Sequence, residues 1–237
     1  MKSAVIRFPG TSGDGDCYHV IKNILGKSCE YVFHKEVFFA KDFDLIVLPG
    51  GASYGDYLRP GALAASSKVM ESIKEAADLG KVILGIGNGF QILMEAGLLP
   101  GAVLPNSQLK FYSDDVFVRV ENSDTPFTCL FKTGDILRLP LACGKGNYFA
   151  DKETLGGISA KSAVAFTYCD KQGNVIKEAN PVGAKNNIAG VMNESGNILG
   201  MMPHPERCTE EILKNTDGRR IFESIVQYVK GGISHGR

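Results

Sequence analysis

The sequence has no excess of either charge. Lys plus Arg and Asp plus Glu each number 26, so the formal net charge is zero. That removes the basic surplus expected of a chain that grips nucleic acid or an acidic membrane. A near-neutral surface offers little colloidal repulsion, which suits a subunit of a complex. The chain also lacks a C-x-x-C pair. Its six cysteines, Cys17, Cys29, Cys129, Cys143, Cys169 and Cys208, are scattered, and its four histidines show no zinc spacing. The expectation is no metal, no disulfide framework, and reduced thiols in the cytoplasm. The apolar run at the N-terminus is too short for a signal peptide, and no run approaches a membrane span. There is no internal repeat and no low-complexity linker. What is there is ordinary: 237 residues, 44% hydrophobic and 22% charged. Such a chain can bury a full core, and residues 1–237 are expected to form a single domain.

Residues Ala4 to Phe8 read as a buried strand ended by Pro9-Gly10. Thr11 to Asp16 reads as a polar loop before a helix with Tyr18, Ile21 and Leu25 at helical spacing. Glu30 to His34 and Asp44 to Leu48 read as strands. The latter is almost wholly apolar, as in a sheet covered on both faces. Pro60 is expected in the first turn of a long helix reaching about Leu79. Lys81 to Gly85 is a further apolar strand. It runs into the turn Ile86-Gly87-Asn88-Gly89 and a helix from Phe90 to about Ala96, with Gly97 as its terminator. This alternation predicts an α/β fold with a mainly parallel sheet flanked by helices. The second half is richer in strands: Asp115 to Val120, Ile136 to Leu139, Ala163 to Tyr168, Ile188 to Met192 and Ile198 to Met202. Asn193 to Asn197 reads as a hairpin loop. A helix from Arg219 to Tyr228 carries the stripe Ile221, Phe222, Ile225 and Val229, and Gly231 to Arg237 is expected to fray.

Three segments carry chemical potential. Gly85-Ile86-Gly87-Asn88-Gly89-Phe90-Gln91 joins a buried strand to a helix. A sharp turn there exposes its central residue and aims helix N–H groups at a ligand. By itself it reads more readily as a plain glycine-rich turn, since Gly-x-Gly-x-Gly turns are common. Gly50 and Gly51 follow another buried strand and can present backbone N–H groups to an oxyanion, or simply end the strand. Pro203-His204-Pro205-Glu206 holds the chain extended, and residues two apart in an extended chain face the same way. Glu206 could then orient the imidazole of His204. Alone, the segment is equally an exposed Pro-rich turn.

Taken together and in this order, the three segments resemble class I glutamine amidotransferases, which carry Gly-x-Cys-x-Gly-x-Gln at an elbow and His-Pro-Glu later in the chain. More closely, the chain is similar to the glutaminase subunit family of phosphoribosylformylglycinamidine synthase. The resemblance rests on Phe8-Pro9-Gly10, Gly50-Gly51 with Ser53 to Arg59, Asn88 to Leu93 and Glu95 to Gly101. Further support comes from Glu121-Asn122 with Asp124 to Thr128, Asn186 to Gly190, Asn193-Glu194 with Gly196-Asn197, and Met202 to Arg207. It implies a flavodoxin-like amidotransferase fold with added antiparallel strands. It implies glutamine as ligand, and ammonia passed to a large synthetase subunit for purine synthesis, with a small third subunit. The chain itself would need no cofactor, since ATP and Mg would belong to the synthetase.

In that family a thioester forms on the elbow cysteine. The resemblance assigns His204 as base and acid and Glu206 as its orienter. Gly50, Gly51, Asn88 and Gln91 would form the oxyanion hole and substrate-binding set. The elbow position here is Gly87, which carries no nucleophile. Other positions depart too. Ser12-Gly13-Asp14-Gly15-Asp16 stands for Asn-Cys-Asp-Arg-Asp, Ala142-Cys143-Gly144-Lys145-Gly146 for Ala-His-Gly-Glu-Gly, and Ala52 for Phe. The expectation is a subunit that binds its partner and glutamine without hydrolysing it. The alternative is a non-catalytic scaffold or regulatory subunit. Cys17 and Cys143 are the thiols nearest the motifs, but neither lies on the elbow.

Overall fold

The computed structural model describes residues 1–231, so the tail expected to fray lies, beyond Gly231, outside the described residues. The strands are β1 (Lys2–Arg7), β2 (Ser28–Phe33), β3 (Leu45–Leu48), β4 (Val82–Ile86), β5 (Ala102–Leu104) and β6 (Tyr112–Val120). They continue with β7 (Ile136–Cys143), β8 (Asn147–Phe149), β9 (Val164–Cys169), β10 (Ile188–Met192) and β11 (Ile198–Met201). The helices are α1 (Asp14–His19), α2 (Ala62–Ala65), α3 (Val69–Asp78), α4 (Asn88–Glu95), α5 (Lys152–Ala160) and α6 (Arg219–Gly231).

Nine strands form one mixed sheet in the order β2-β1-β3-β4-β11-β10-β9-β6-β7. The pairs from β2 to β11 are all parallel, and those from β11 to β7 all antiparallel. β3 and β4 are buried along their whole length, as continuous apolar strands under helices on both faces should be. The loop Asn193 to Asn197 joins β10 to β11 as the expected hairpin, its Asn193 side chain accepting from the Ile198 N–H at 3.0 Å. α6 buries Ile221, Phe222 and Ile225.

Several elements depart from the sequence expectation. The helix from Pro60 to Leu79 is two helices. Gly61 is left-handed at φ 82°, so Pro60 stands outside the first turn of α2. The Val69 N–H donates to His34 O at 3.1 Å rather than to a preceding helical turn, so β2 fixes where α3 begins. α1 starts at Asp14, inside the expected loop, and continues as a π-helical turn over Val20–Ile24. β7 runs past Leu139 through Pro140 to Cys143. It is an edge strand, where a residue without an N–H costs no ladder bond. α5 had no sequence expectation, because Gly156 and Gly157 in its middle weaken a helical pattern. The short pair β5 and β8 forms a separate antiparallel ribbon.

Candidate active site

Strand direction gathers the site. β1, β3, β4 and β11 are parallel and in register, with Leu48 opposite Gly85 and Met201 opposite Ile86. Their carboxyl ends therefore release Gly50-Gly51, Gly87 and His204 at one edge of the sheet, where open α/β sheets bind ligands. Four antiparallel steps turn β7 back to the direction of β11, so Ala142 and Cys143 finish at that same edge. The His204 N–H donates to Pro140 O at 2.7 Å. The antiparallel half must curl to bring an edge strand onto the segment after β11. Shifts of register between β9 and β10 mark where the added twist enters.

Gly87 sits between β4 and α4 at φ 52° and ψ −107°, a conformation that L side chains rarely adopt. Its N–H is held by Met201 O at 2.8 Å, and its carbonyl accepts from the Gln91 N–H at 3.2 Å. A Cβ built on Gly87 would lie 3.1 Å from Cε1 and 3.3 Å from Nε2 of His204. The other ring nitrogen, Nδ1, is 2.7 Å from Glu206 Oε1. Both residues are buried, each 3% exposed. A carboxylate on Nδ1 fixes ring orientation and leaves Nε2 directed at the elbow. Arg207 Nε lies 3.6 Å from Glu206 Oε1 and 3.8 Å from Asp16 Oδ2, linking the buried carboxylate to the rim.

Gly50 is the floor under the imidazole. A Cβ there would come within 2.6 Å of His204 Cε1, so only glycine lets the ring lie flat on this turn. Gly51 forms an isolated bridge with Thr11. Its two bonds run from Ser12 N–H to Gly50 O and from Ala52 N–H to Gly10 O, so Gly51 spends neither its own N–H nor its own carbonyl there. Asn88 opens α4, where backbone N–H groups lack intrahelical partners. Its side chain accepts from the Ser53 N–H at 3.0 Å and donates to Gln91 Oε1 at 3.0 Å. Gln91 in turn donates to Lys145 O at 2.8 Å. Asn88 and Gln91 thus tie the elbow helix to the two loops that face it.

These groups line a cavity of about 600 Å³ that includes Gly51, Gly87, Asn88, Gln91, Lys145 and His204. Gly50 stands behind the imidazole rather than in the lining. Ser12, Ala52 and Cys143, positions at which the resemblance implies other residues, line it as well. Neither candidate thiol is poised to react. Burial pushes the Cys143 thiol up to about 12, and Cys17 is fully buried with its thiol held well above the ordinary value by burial and by Glu206. A thiol kept protonated is a poor nucleophile. Burial also raises the Asp56 carboxyl, with Lys145 pulling it back down. Asp16 is raised by burial and then by the charge of Glu206. Among the described residues no cluster of His, Cys, Asp or Glu could hold a metal.

Sequence reasoning passed over Asp56, Phe111 and Arg207 as cavity residues, although Asp56 and Arg207 stood inside motifs already singled out. It also passed over Asn106. That buried side chain donates to Lys110 O and Cys143 O, and accepts from the Gly146 N–H at 2.8 Å. It shapes the loop bearing Cys143 and Lys145. A lone asparagine in an unpatterned stretch gave no signal for this.

Residues 1–229 match the CobB/CobQ-like glutamine amidotransferase domain. Phosphoribosylformylglycinamidine synthase subunit PurQ of Pseudothermotoga lettingae is 48% identical over 237 residues, 99% of each chain. The protein of the same name from Methanosarcina acetivorans is 48% identical over 229 residues, 97% of this chain and 98% of its own. A chain in the structure of PurLQS from Thermotoga maritima superposes with a TM-score of 0.84 at 44% identity, covering 96% of this chain and 98% of that one. With its strand-to-helix elbow, its buried His–Glu pair and full-length identity of this order, the chain belongs to the PurQ family of glutamine amidotransferase domains.

Proposed function

We propose that this chain serves as the glutaminase-type subunit of phosphoribosylformylglycinamidine synthase in purine biosynthesis, and that with Gly87 at the elbow it holds glutamine without hydrolysing it. The relatives carry that subunit's name, and the Thermotoga maritima structure is titled as the PurLQS assembly. The partner is then a large synthetase subunit, with a small third subunit. ATP and Mg act in the synthetase, and this chain needs neither.

The geometry supports the following roles. A nucleophile attached at residue 87 would pass its proton to His204 Nε2, and the imidazolium would return it to the departing amine. Glu206 holds the ring through Nδ1. The N–H groups of Gly51 and Asn88 would receive the charge that develops on the carbonyl oxygen, a contribution of roughly 3–4 kcal/mol per donor in comparable sites. All of this waits on an attacking atom that glycine does not supply.

The observation that carries the proposal is the 3.3 Å between the Cβ position of Gly87 and His204 Nε2. It supports the reading that a single side chain at residue 87 would complete a Cys–His–Glu triad. The test is ammonia and glutamate release by the complex with the synthetase, for the chain as it stands and for Gly87→Cys. The glycine form should be silent and the cysteine form active. A cysteine at φ 52° is strained, and His204 must yield a few tenths of an ångström. The expected cost is roughly 0.5–2 kcal/mol, partly offset by lower unfolded-state entropy. Family-like turnover by the glycine form would overturn the proposal. A folded, partner-bound cysteine form that stays inert would leave the non-catalytic subunit as the better description.

A further inference from the structure

We propose that Asp56 and Lys145 read the head of the bound amino acid, Asp56 taking its α-ammonium and Lys145 its α-carboxylate, and so confine the cavity to α-amino acids. This rests on the glutaminase reading of the site and names what sets its ligand specificity.

The acidic and basic residues lining the cavity are Asp56, Lys145, His204 and Arg207. The last two are already committed. His204 Nδ1 lies 2.7 Å from Glu206 Oε1, and Arg207 Nε lies 3.6 Å from Glu206 Oε1 and 3.8 Å from Asp16 Oδ2. Among the described residues, Asp56 and Lys145 form no ion pair with each other or with any other side chain. Each still feels the other, because burial raises the Asp56 carboxyl and the charge of Lys145 lowers it again. One acid and one base thus face the same space, near each other but not in contact. A ligand carrying both signs on neighbouring atoms complements them, and an α-amino acid zwitterion is such a ligand.

The elbow helix fixes the spacing. Asn88 Nδ2 donates to Asp56 Oδ1 at 3.4 Å, and Gln91 Nε2 donates to Lys145 O at 2.8 Å. Residues three apart on a helix lie about 5–6 Å from one another, so α4 holds the two loops roughly the width of an amino-acid head apart. Asn88 directly follows Gly87, and the charged pair is therefore tied to the same helix end as the elbow. The bond from Asn88 is long and leaves most of the acceptor capacity of Asp56 unspent. A half-buried carboxylate short of partners is costly, and an ammonium brought by the ligand offsets that cost. Position 145 is one at which the resemblance implies glutamate, so a lysine reading a carboxylate there is a property of this chain and is not carried over from the family.

A site built for two charges rejects a ligand that lacks one, because the abandoned group is left unpaired. The experiment is titration calorimetry on the complex with the synthetase, with the heat of the synthetase alone subtracted. Its three ligands are L-glutamine, glutaramate, which is glutamine without the α-ammonium, and 4-aminobutanamide, which is glutamine without the α-carboxylate. They are titrated into the parent, Asp56→Asn and Lys145→Gln, each checked by thermal unfolding and by co-elution with the synthetase. On the parent, each analogue should bind at least about tenfold more weakly than glutamine, the size of one hydrogen bond to a charged group. Asp56→Asn should lose a similar factor for glutamine and 4-aminobutanamide and keep the parent's affinity for glutaramate. Lys145→Gln should lose it for glutamine and glutaramate and keep the parent's affinity for 4-aminobutanamide. Glutamine bound equally well by parent and variants overturns this inference and leaves the glutaminase reading standing. A variant that weakens all three ligands alike also overturns it, since the residue then shapes the cavity without reading a charge. A parent complex that forms but takes up no glutamine defeats both readings together. Should either variant not fold, Asp56→Ser or Lys145→Met in the same assay carries the same expectation.

Discussion

At the residue scale the candidate site depends on what two glycines permit. Gly50 holds the imidazole from beneath, its Cβ position being 2.6 Å from His204 Cε1. Gly50→Ala should push the ring away from residue 87 and break its alignment with Glu206. In a Gly87→Cys background we expect kcat for glutamine to fall by roughly a hundredfold or more, as when a catalytic base is displaced, with KM changed much less. Equal loss in both parameters would show that Gly50 serves binding instead. Asp56 offers a test by pH. Burial raises its carboxyl above the ordinary 3.8, so between 3.8 and the raised value the folded state holds more proton than the unfolded state. Stability contributed by this group is therefore lost as pH rises through that window. Asp56→Asn should melt at a higher temperature than the parent near neutrality, and the gap should widen as pH is raised from about 4. A gap that narrows with rising pH would reverse the assignment. Much of this site could be read in the sequence: Gly51, Gly87, Asn88, His204 and Glu206 each stand in a segment with a recognisable turn or Pro-bounded pattern. Asn106 could not, because its importance comes from a loop that only the folded sheet brings to the site; Asp56 stands in a recognisable segment, but only the fold turns it toward the cavity.

At the element scale, legibility followed the physics of each segment. β3 and β4 are short apolar runs between turn residues, and both were plain. The helix after Pro60 was misjudged because its continuity is decided from outside, by the bond from Val69 N–H to His34 O. β7 was cut short because proline in a strand is informative only when the strand's place in the sheet is known. α5 was hidden by its two glycines, and what starts it is a single capping side chain. Asp151 accepts from the Thr154 N–H at 2.8 Å, and that bond holds its carboxyl below the ordinary value. Asp151→Ala should lower the melting temperature by roughly 2–4 °C at neutral pH. A lowered folded-state value means stability present above 3.8 and lost as pH falls through it. The difference between Asp151→Ala and the parent should therefore shrink below about pH 4, whereas Asp151→Asn, which keeps the acceptor, should behave almost as the parent does at neutrality. A pH-independent difference would mean the side chain acts by something other than its charged cap.

At the scale of the whole molecule, the question is where the synthetase sits. Ammonia set free in water takes up a proton and stops being a nucleophile, so a glutaminase subunit must seat its partner over the mouth of its own cavity. The loop from Ser53 to Leu58 has the character of such a contact. Tyr54, Asp56 and Leu58 all hold positive φ, from 53° to 67°, which costs non-glycine residues and persists where the surroundings or the function demand it. The loop presents Tyr57 and Leu58 to solvent at 72% and 74% exposure, and Phe111, which lines the cavity, is 69% exposed. Large apolar side chains exposed beside an opening mark an interaction surface, and of these Leu58 is held there at a strained φ of 67°. Leu58→Asp adds no backbone strain, since aspartate tolerates left-handed φ better than leucine. Combined with Phe111→Ser, it should weaken binding to the synthetase at least about tenfold, or ~1.4 kcal/mol. Both side chains are exposed, so the melting temperature of the isolated chain should stay within roughly 2 °C of the parent. Leu79→Asp provides the control. Leu79 is 55% exposed and precedes the amino end of β4, across the sheet from the cavity, and its substitution should leave the complex unchanged. Gel filtration and titration calorimetry against the synthetase read both variants. Equal loss in Leu79→Asp, or none in the Leu58 and Phe111 pair, would place the partner on a different face and detach ammonia delivery from this cavity.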